Sequence, residues 1–165
     1  MPKITIRNQR VSDAKRFYEI LSNPNFVYFL SKPKSIADEK KWLKEDPKRK
    51  KNNFAWNFTV LYNDKVVGGI GIKINQHRQY VGEIGYFLDE AYWGQGITTA
   101  AVKLVEKEGF NKLGLARIEI LMQPKNKASA KVAIKCKYKK EGLLKKAIKG
   151  TDGKMKDALL YAKAL

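Results

Sequence analysis

The sequence predicts one α/β (α+β) domain built on a central sheet. Three observations predict it. The chain has 165 residues, 44% of them hydrophobic and 11% aromatic, enough for one sizeable core. Three alternating runs at 54–61, 66–74 and 80–88 are separated by short polar turns, as in an antiparallel meander. Helical spacing then brackets one further alternating run, and a hairpin pattern closes the chain.

The elements follow in chain order. Residues 3–8 form a short strand. Ser12 stands as N-cap of a helix that sets Phe17, Ile20 and Leu21 on one side, and Asn23-Pro24-Asn25 ends it. Ser35-Ile36-Ala37-Asp38 has the form of a capping box with Asp in place of Glu, and opens a second helix through Trp42 and Leu43. Pro47 closes that helix. Lys48-Arg49-Lys50-Lys51 reads first as a solvated loop and second as a docking patch. Phe54, Trp56, Phe58 and Val60 alternate with Ala55, Asn57, Thr59 and Leu61 in the first meander strand. Asn63-Asp64 turns it into 66–74, and 75–79 turns that into 80–88. A helix from Thr98 to Phe110 buries Ala101, Leu104 and Val105. Arg117 to Met122 is a strand, Pro124-Lys125-Asn126 a turn, and 127–135 a helix. Strands near 138–148 and 155–163 flank Gly150-Thr151-Asp152-Gly153.

Charge narrows the partners. The net charge is +18, from 34 Lys and Arg against 16 Asp and Glu. That favours nucleic acid, ribosome, an acidic protein or a phosphorylated cofactor. The lysines are spread along the chain, so a Lys-rich surface with no such partner is an equal reading. No apolar run reaches the ~18 residues that cross a bilayer. Residues 1–7 carry no signal-peptide apolar region, so a cytoplasmic protein without a membrane partner is expected. The single cysteine, Cys136, excludes an internal disulfide framework and reads as a small core or surface residue. His77, the only histidine, reads as an exposed turn residue, and no metal is expected.

Gly94-Gln95-Gly96 lies between the third meander strand and a helix. Such a turn aims several backbone N–H groups one way and suits a phosphate or pyrophosphate, although a plain tight turn has the same glycines. There is no G-x-G-x-x-G and no G-K-[ST], which excludes Rossmann and Walker-type sites.

Two strings carry a family likeness. One is Gly85-Tyr86-Phe87-Leu88-Asp89 followed by Trp93-Gly94-Gln95-Gly96-Ile97-Thr98-Thr99-Ala100-Ala101. The other is Asn126-Lys127-Ala128-Ser129 followed by Lys135-Cys136-Lys137-Tyr138. On these the chain resembles the GNAT superfamily of N-acetyltransferases, in its RimJ/RimL ribosomal-protein branch, over essentially its whole length. In the family motif Q/R-x-x-G-x-G/A, Trp93 stands at the usual Gln/Arg and Thr98 at the usual Gly/Ala. Lys137 stands where a glycine is usual, so that helix-to-strand turn is expected to be built differently.

The resemblance implies a single domain over 1–165. Its sheet would be mixed and mostly antiparallel, of about seven strands with about four helices, splayed between the fourth and fifth strands. It implies acetyl-CoA as cosubstrate. The pyrophosphate would meet the N–H groups of Gln95, Gly96, Ile97, Thr98 and Thr99, with Trp93 and Gly94 completing the turn. Backbone groups of Phe87 and Leu88 would pair with the pantetheine arm, and one N–H would hold the thioester oxyanion. Asn126 is read both as helix N-cap and as partner of the pantetheine amide. Glu83 would act as base through water, with a solvent-facing strand Glu as the alternative. Many GNAT enzymes place a Tyr seven residues after the Asn. Here that position is Ala133, which leaves Ser129 as the hydroxyl for the leaving thiolate. Tyr138 and Phe26-Val27-Tyr28-Phe29-Leu30 are core or, for the latter, the acceptor pocket.

The expected acceptor is a protein N-terminal α-amine, such as that of a ribosomal protein. An α-amine (pKa ~8) asks less of a base than a lysine (~10.4). A polyamine or aminoglycoside is the first alternative, which would need a locally acidic cleft, with Asp13, Glu19, Asp38 and Glu39 as candidate acids near the N-terminal helices. A non-enzymatic RNA- or ribosome-binding module is the second. Nucleic acid is an allowed partner rather than a required one, and the protein is read as monomer or homodimer.

Overall fold

The computed structural model describes residues 1–165. Seven strands make one sheet: β1 (Ile4–Asn8), β2 (Ala55–Tyr62), β3 (Lys65–Ile74), β4 (Val81–Leu88), β5 (Arg117–Met122), β6 (Lys139–Lys149) and β7 (Met155–Ala164). Their spatial order is β1-β2-β3-β4-β5-β7-β6. Every neighbouring pair is antiparallel except β4 and β5. Five helices surround it: α1 (Ala14–Leu21), α2 (Ile36–Lys44), α3 (Asp46–Lys51), α4 (Ile97–Lys107) and α5 (Lys127–Lys135).

The alternation in β4 separates two layers. Ile84 and Leu88 join the main core with Ile97, Ala101, Val102 and Val105 of α4 and Ala133 of α5. Phe87 points the other way and meets Phe17 of α1 edge to face, ring centroids 5.2 Å apart. Leu43 of α2 packs beside Phe17 in this second cluster. The expected Asn63-Asp64 turn forms with φ of 47° and 65°, the pair of positive values a two-residue hairpin turn requires.

Four local expectations change. Ser12 is not a cap: it lies inside a 3-10 turn (Val11–Asp13), and the Asp13 carboxylate accepts the Arg10 N–H at 2.9 Å instead. Pro47 does not end helical structure but stands in the first turn of α3, where its missing N–H costs nothing. Lys48 to Lys51 are therefore helical, at the end where the helix dipole favours cations. Beneath them the buried Asp46 accepts from Asn57 Nδ2 at 3.1 Å and pairs with Lys50 at 3.3 Å. Leu104 is only half-buried, and Ile97 and Val102 carry that face of α4. Lys137 adopts φ 65°, so the turn after α5 is built with the left-handed backbone a glycine would take.

Candidate active site

β4 and β5 are paired at only three positions: Val81 with Arg117, Gly82 with Ile118, and Glu83 with Glu119. Beyond Glu83 they part, and a cleft of about 660 Å³ opens between them. Backbone polarity along β4 decides which groups face it. Asp89 N–H reaches Val67 O at 2.8 Å and Val81 O takes Asn75 N–H at 2.9 Å, so odd-numbered residues bond to β3. Tyr80 O takes the N–H groups of Ala116 and Arg117, so even-numbered residues face β5. The Phe87 backbone is therefore engaged with β3, which corrects the expectation that it faces the gap. The groups facing the gap belong to Ile84, Tyr86 and Leu88. Trp93 Nε1 donates to Leu88 O at 2.8 Å, which leaves the Leu88 N–H.

At one end of the cleft stands the glycine turn. Gly94 and Gly96 both have φ 77°, the left-handed conformation that glycine takes without strain. Gly96 is the N-cap of α4, and no side chain caps it. The first intrahelical bond runs from Ala100 N–H to Gly96 O at 3.1 Å. The N–H groups of Ile97, Thr98 and Thr99 thus have no partner inside the helix, at its positive end. Gly94, Gly96, Ile97, Thr98 and Thr99 line the cleft, and Gln95 does not. Trp93 earns its place twice: beyond its bond to Leu88 O, it stacks on Phe26 at 5.6 Å. Lys131 and Lys135, one turn apart on α5, are the only charged side chains lining the cleft.

Asn126 caps α5, its Oδ1 accepting Ser129 N–H at 3.2 Å. Asn126 lines the cleft, and its amide Nδ2 has no partner within the protein. Ser129 is buried, and its hydroxyl meets Tyr86 Oη at 2.5 Å across the cleft. Burial, chiefly, pushes the Tyr86 phenol up to about 12 against the counter-effect of Ser129. Sequence reading missed Tyr86, since alternation marks it only as inward-facing. It also missed Lys131 and Lys135, which are surface lysines until the fold turns α5 toward the turn.

Glu83 does not line the cleft. It stands beside Glu119 where the fork closes, with Lys73 opposite on β3. The residue keeps contact with solvent, yet burial raises its carboxyl above the ordinary value. Lys73 opposes that rise and Glu119 adds to it. Glu119 is itself held by Arg117 at 2.8 Å. Phe26, Val27, Tyr28 and Phe29 form the rim on the α1 side, while Leu30 is exposed outside it. The turn before β7 braces this rim through Thr151 Oγ1, which donates to Val27 O at 3.2 Å. Cys136, Tyr138 and Ala133 are core, and His77 is exposed.

Residues 3–139 match the acetyltransferase (GNAT) domain family. The chain is similar to the probable N-acetyltransferase YjcK of Bacillus subtilis (strain 168), 32% identical over 118 residues. That match covers 70% of this chain and 65% of YjcK, so the chain spans just under two thirds of that relative's length. Its fold is similar to the ribosomal-protein-S5-alanine acetyltransferase from Vibrio fischeri, with TM-score 0.86 and 26% identity over 98% of this chain and 92% of that one. It is equally similar to the microcin C7 self-immunity acetyltransferase MccE in complex with acetyl-CoA and AMP, with TM-score 0.87 and 25% identity over 99% and 93%. No helix of the chain is long and apolar enough to cross a membrane. The forked sheet, the uncapped helix at its mouth and these likenesses agree: the chain belongs to the GNAT family of N-acetyltransferases, with RimJ/RimL ribosomal-protein acetyltransferases among its structural neighbours.

Proposed function

We propose that this protein transfers acetyl from acetyl-CoA directly to the α-amine of a protein N-terminus. The observation that carries the cofactor is the uncapped N-terminus of α4, led by two left-handed glycines and opening on the fork between β4 and β5. The pyrophosphate takes the N–H groups of Ile97, Thr98 and Thr99. The pantetheine arm lies in the fork against the N–H groups of Tyr86 and Leu88, with Asn126 Nδ2 on its amide carbonyl. One strand N–H also receives the thioester oxygen as charge builds on it. Glu83, at the apex, takes the ammonium proton through water. Its raised carboxyl is a stronger base than an ordinary glutamate, and an α-amine at ~8 is the easier amine to deprotonate.

The protein acceptor is supported by the +18 charge, which repels a polycationic small molecule and attracts an acidic macromolecule. The exposed rim residues Val27 and Tyr28 offer apolar contact to a peptide. Mass spectrometry of an acceptor panel tests this reading. Peptides with free N-termini should be acetylated there, and the same peptides with blocked N-termini and free lysines should not. Acetylation of spermidine or an aminoglycoside in preference to every peptide would overturn the acceptor. Tight, steeply salt-dependent RNA binding with no acetyl transfer to any amine would overturn the activity.

A further inference from the structure

Tyr86 comes from β4 and Ser129 from the first turn of α5, so the two hydroxyls meet only because the fold brings these elements to opposite walls of one cleft. Their oxygens are 2.5 Å apart. The Ser129 hydroxyl has no other partner in the fold, its N–H being held separately by Asn126. Two hydroxyls joined by one hydrogen bond hold two protons and use one. The phenol is the stronger acid and is the natural donor, which leaves the serine proton unspent. Ala133, seven residues after Asn126 on the same helix, is fully buried and has no hydroxyl to offer.

We propose that Tyr86 is a positioning residue for Ser129: it fixes the serine oxygen so that the serine O–H points into the cleft, toward the sulfur that leaves the thioester. This rests on the acetyltransferase reading above. In the transfer, the amine nitrogen bonds the carbonyl carbon, the C–S bond breaks, and the electron pair leaves on sulfur. The nitrogen's proton goes to water at Glu83, and the thiolate is protonated from solvent. Ser129 meanwhile donates a hydrogen bond to the thiolate, and neither hydroxyl gives up its proton. Magnitude decides between donating a bond and donating a proton. With the phenol at about 12 and a thiol near ~8.5, relaying the phenol's proton through Ser129 to the thiolate would run uphill by roughly three thousandfold. A phenol so hard to ionise remains a hydrogen-bond donor across the whole working pH range.

Steady-state kinetics of Tyr86→Phe, Ser129→Ala and the double variant test this. Acetyl-CoA affinity serves as the check that each variant is folded, and phenylalanine keeps the ring. Tyr86→Phe should lower kcat about five- to tenfold with the KM for acetyl-CoA within about twofold. Ser129→Ala should lower kcat at least as far, and the double variant no further than Ser129→Ala alone, because Tyr86 acts through the serine. A thioester donor with a more acidic leaving thiol should shrink both losses. Unchanged kcat in Tyr86→Phe, a rise in KM alone, losses that multiply in the double variant, or equal losses with both donors would each overturn the assignment. If the unmodified protein transfers acetyl to no amine, the acetyltransferase reading itself falls; transfer with an indifferent Tyr86→Phe overturns only this inference.

Discussion

Replacing Gly96 by alanine separates two jobs that one backbone conformation performs. The φ of 77° costs an L-residue roughly 1–2 kcal/mol. Alanine returns about 0.4–1 kcal/mol by making the unfolded chain less free. The net loss is about 1 kcal/mol, or about 2–4 °C in Tm for a chain of this size. No protein atom lies within 4 Å of a Cβ at Gly96, so the methyl meets open space at the cleft rather than a clash. The same is true of Gly114, which has φ 67° and lies outside the cleft. Gly114→Ala is therefore a matched control with the same backbone penalty. Thermal melts should show similar losses for both variants. Calorimetry with acetyl-CoA should show Kd raised about tenfold or more for Gly96→Ala alone, the equivalent of one lost charge-assisted hydrogen bond. Equal acetyl-CoA affinity in the two variants would refute the placement of the pyrophosphate at this turn.

Three further outcomes are expected. With Glu83 as base, kcat/KM should rise with pH through a carboxyl held above its ordinary range by burial and by Glu119, and Glu83→Gln should abolish that limb; a limb that survives the substitution excludes Glu83. Alanine at Lys131 or Lys135 should raise the KM for acetyl-CoA about three- to tenfold at low salt, less at high salt, with kcat unchanged; kinetics that ignore these lysines would remove them from the cofactor site. Asp13→Asn should cost about 3 kcal/mol in denaturant unfolding, because the buried carboxylate meets Arg7 at 2.8 Å, Thr59 at 2.7 Å and Arg10 N–H at 2.9 Å. Burial alone would raise Asp13, but those bonds outweigh it and hold its carboxyl below the ordinary value. Its contribution is thus complete above the unfolded-state pKa and fades as pH falls through the lower folded one, and a variant whose acid unfolding matches the parent's would contradict this.

Local chemistry made much of the fold legible. Asn126 caps α5 from its own side chain, so the helix could be bounded at 127–135 from neighbours alone. The alternation of the meander strands likewise fixed their turns. Pro47 misled because proline stops one helix and starts another with the same φ. Ser12 misled because Asp13, one residue on, does the capping from a site that only the β2 residue Thr59 completes. The cleft shows the same limit. The glycine turn announces itself by spacing. Tyr86 meets Ser129 across 43 residues of chain, and Lys131 and Lys135 reach the cleft only because α5 folds back beside it, neither of which any periodicity encodes.

The fork has a consequence for the unloaded protein. Past Glu83 the inner margins of β4 and β5 carry backbone donors and acceptors with no strand to answer them, so the sheet has two free edges in its middle as well as two at its ends. The outer edge at β6 is guarded by exposed lysines that discourage another chain from pairing there. The inner edges have no such guard, and on the proposed reading they are answered only by the pantetheine arm. Acetyl-CoA is then a removable eighth strand as well as a reagent. At a hundred times its Kd it would add about 2.7 kcal/mol to folding stability. That protection would register in the amide exchange of Tyr86 and Leu88, and the empty chain's resistance to self-association would follow the supply of its own cosubstrate.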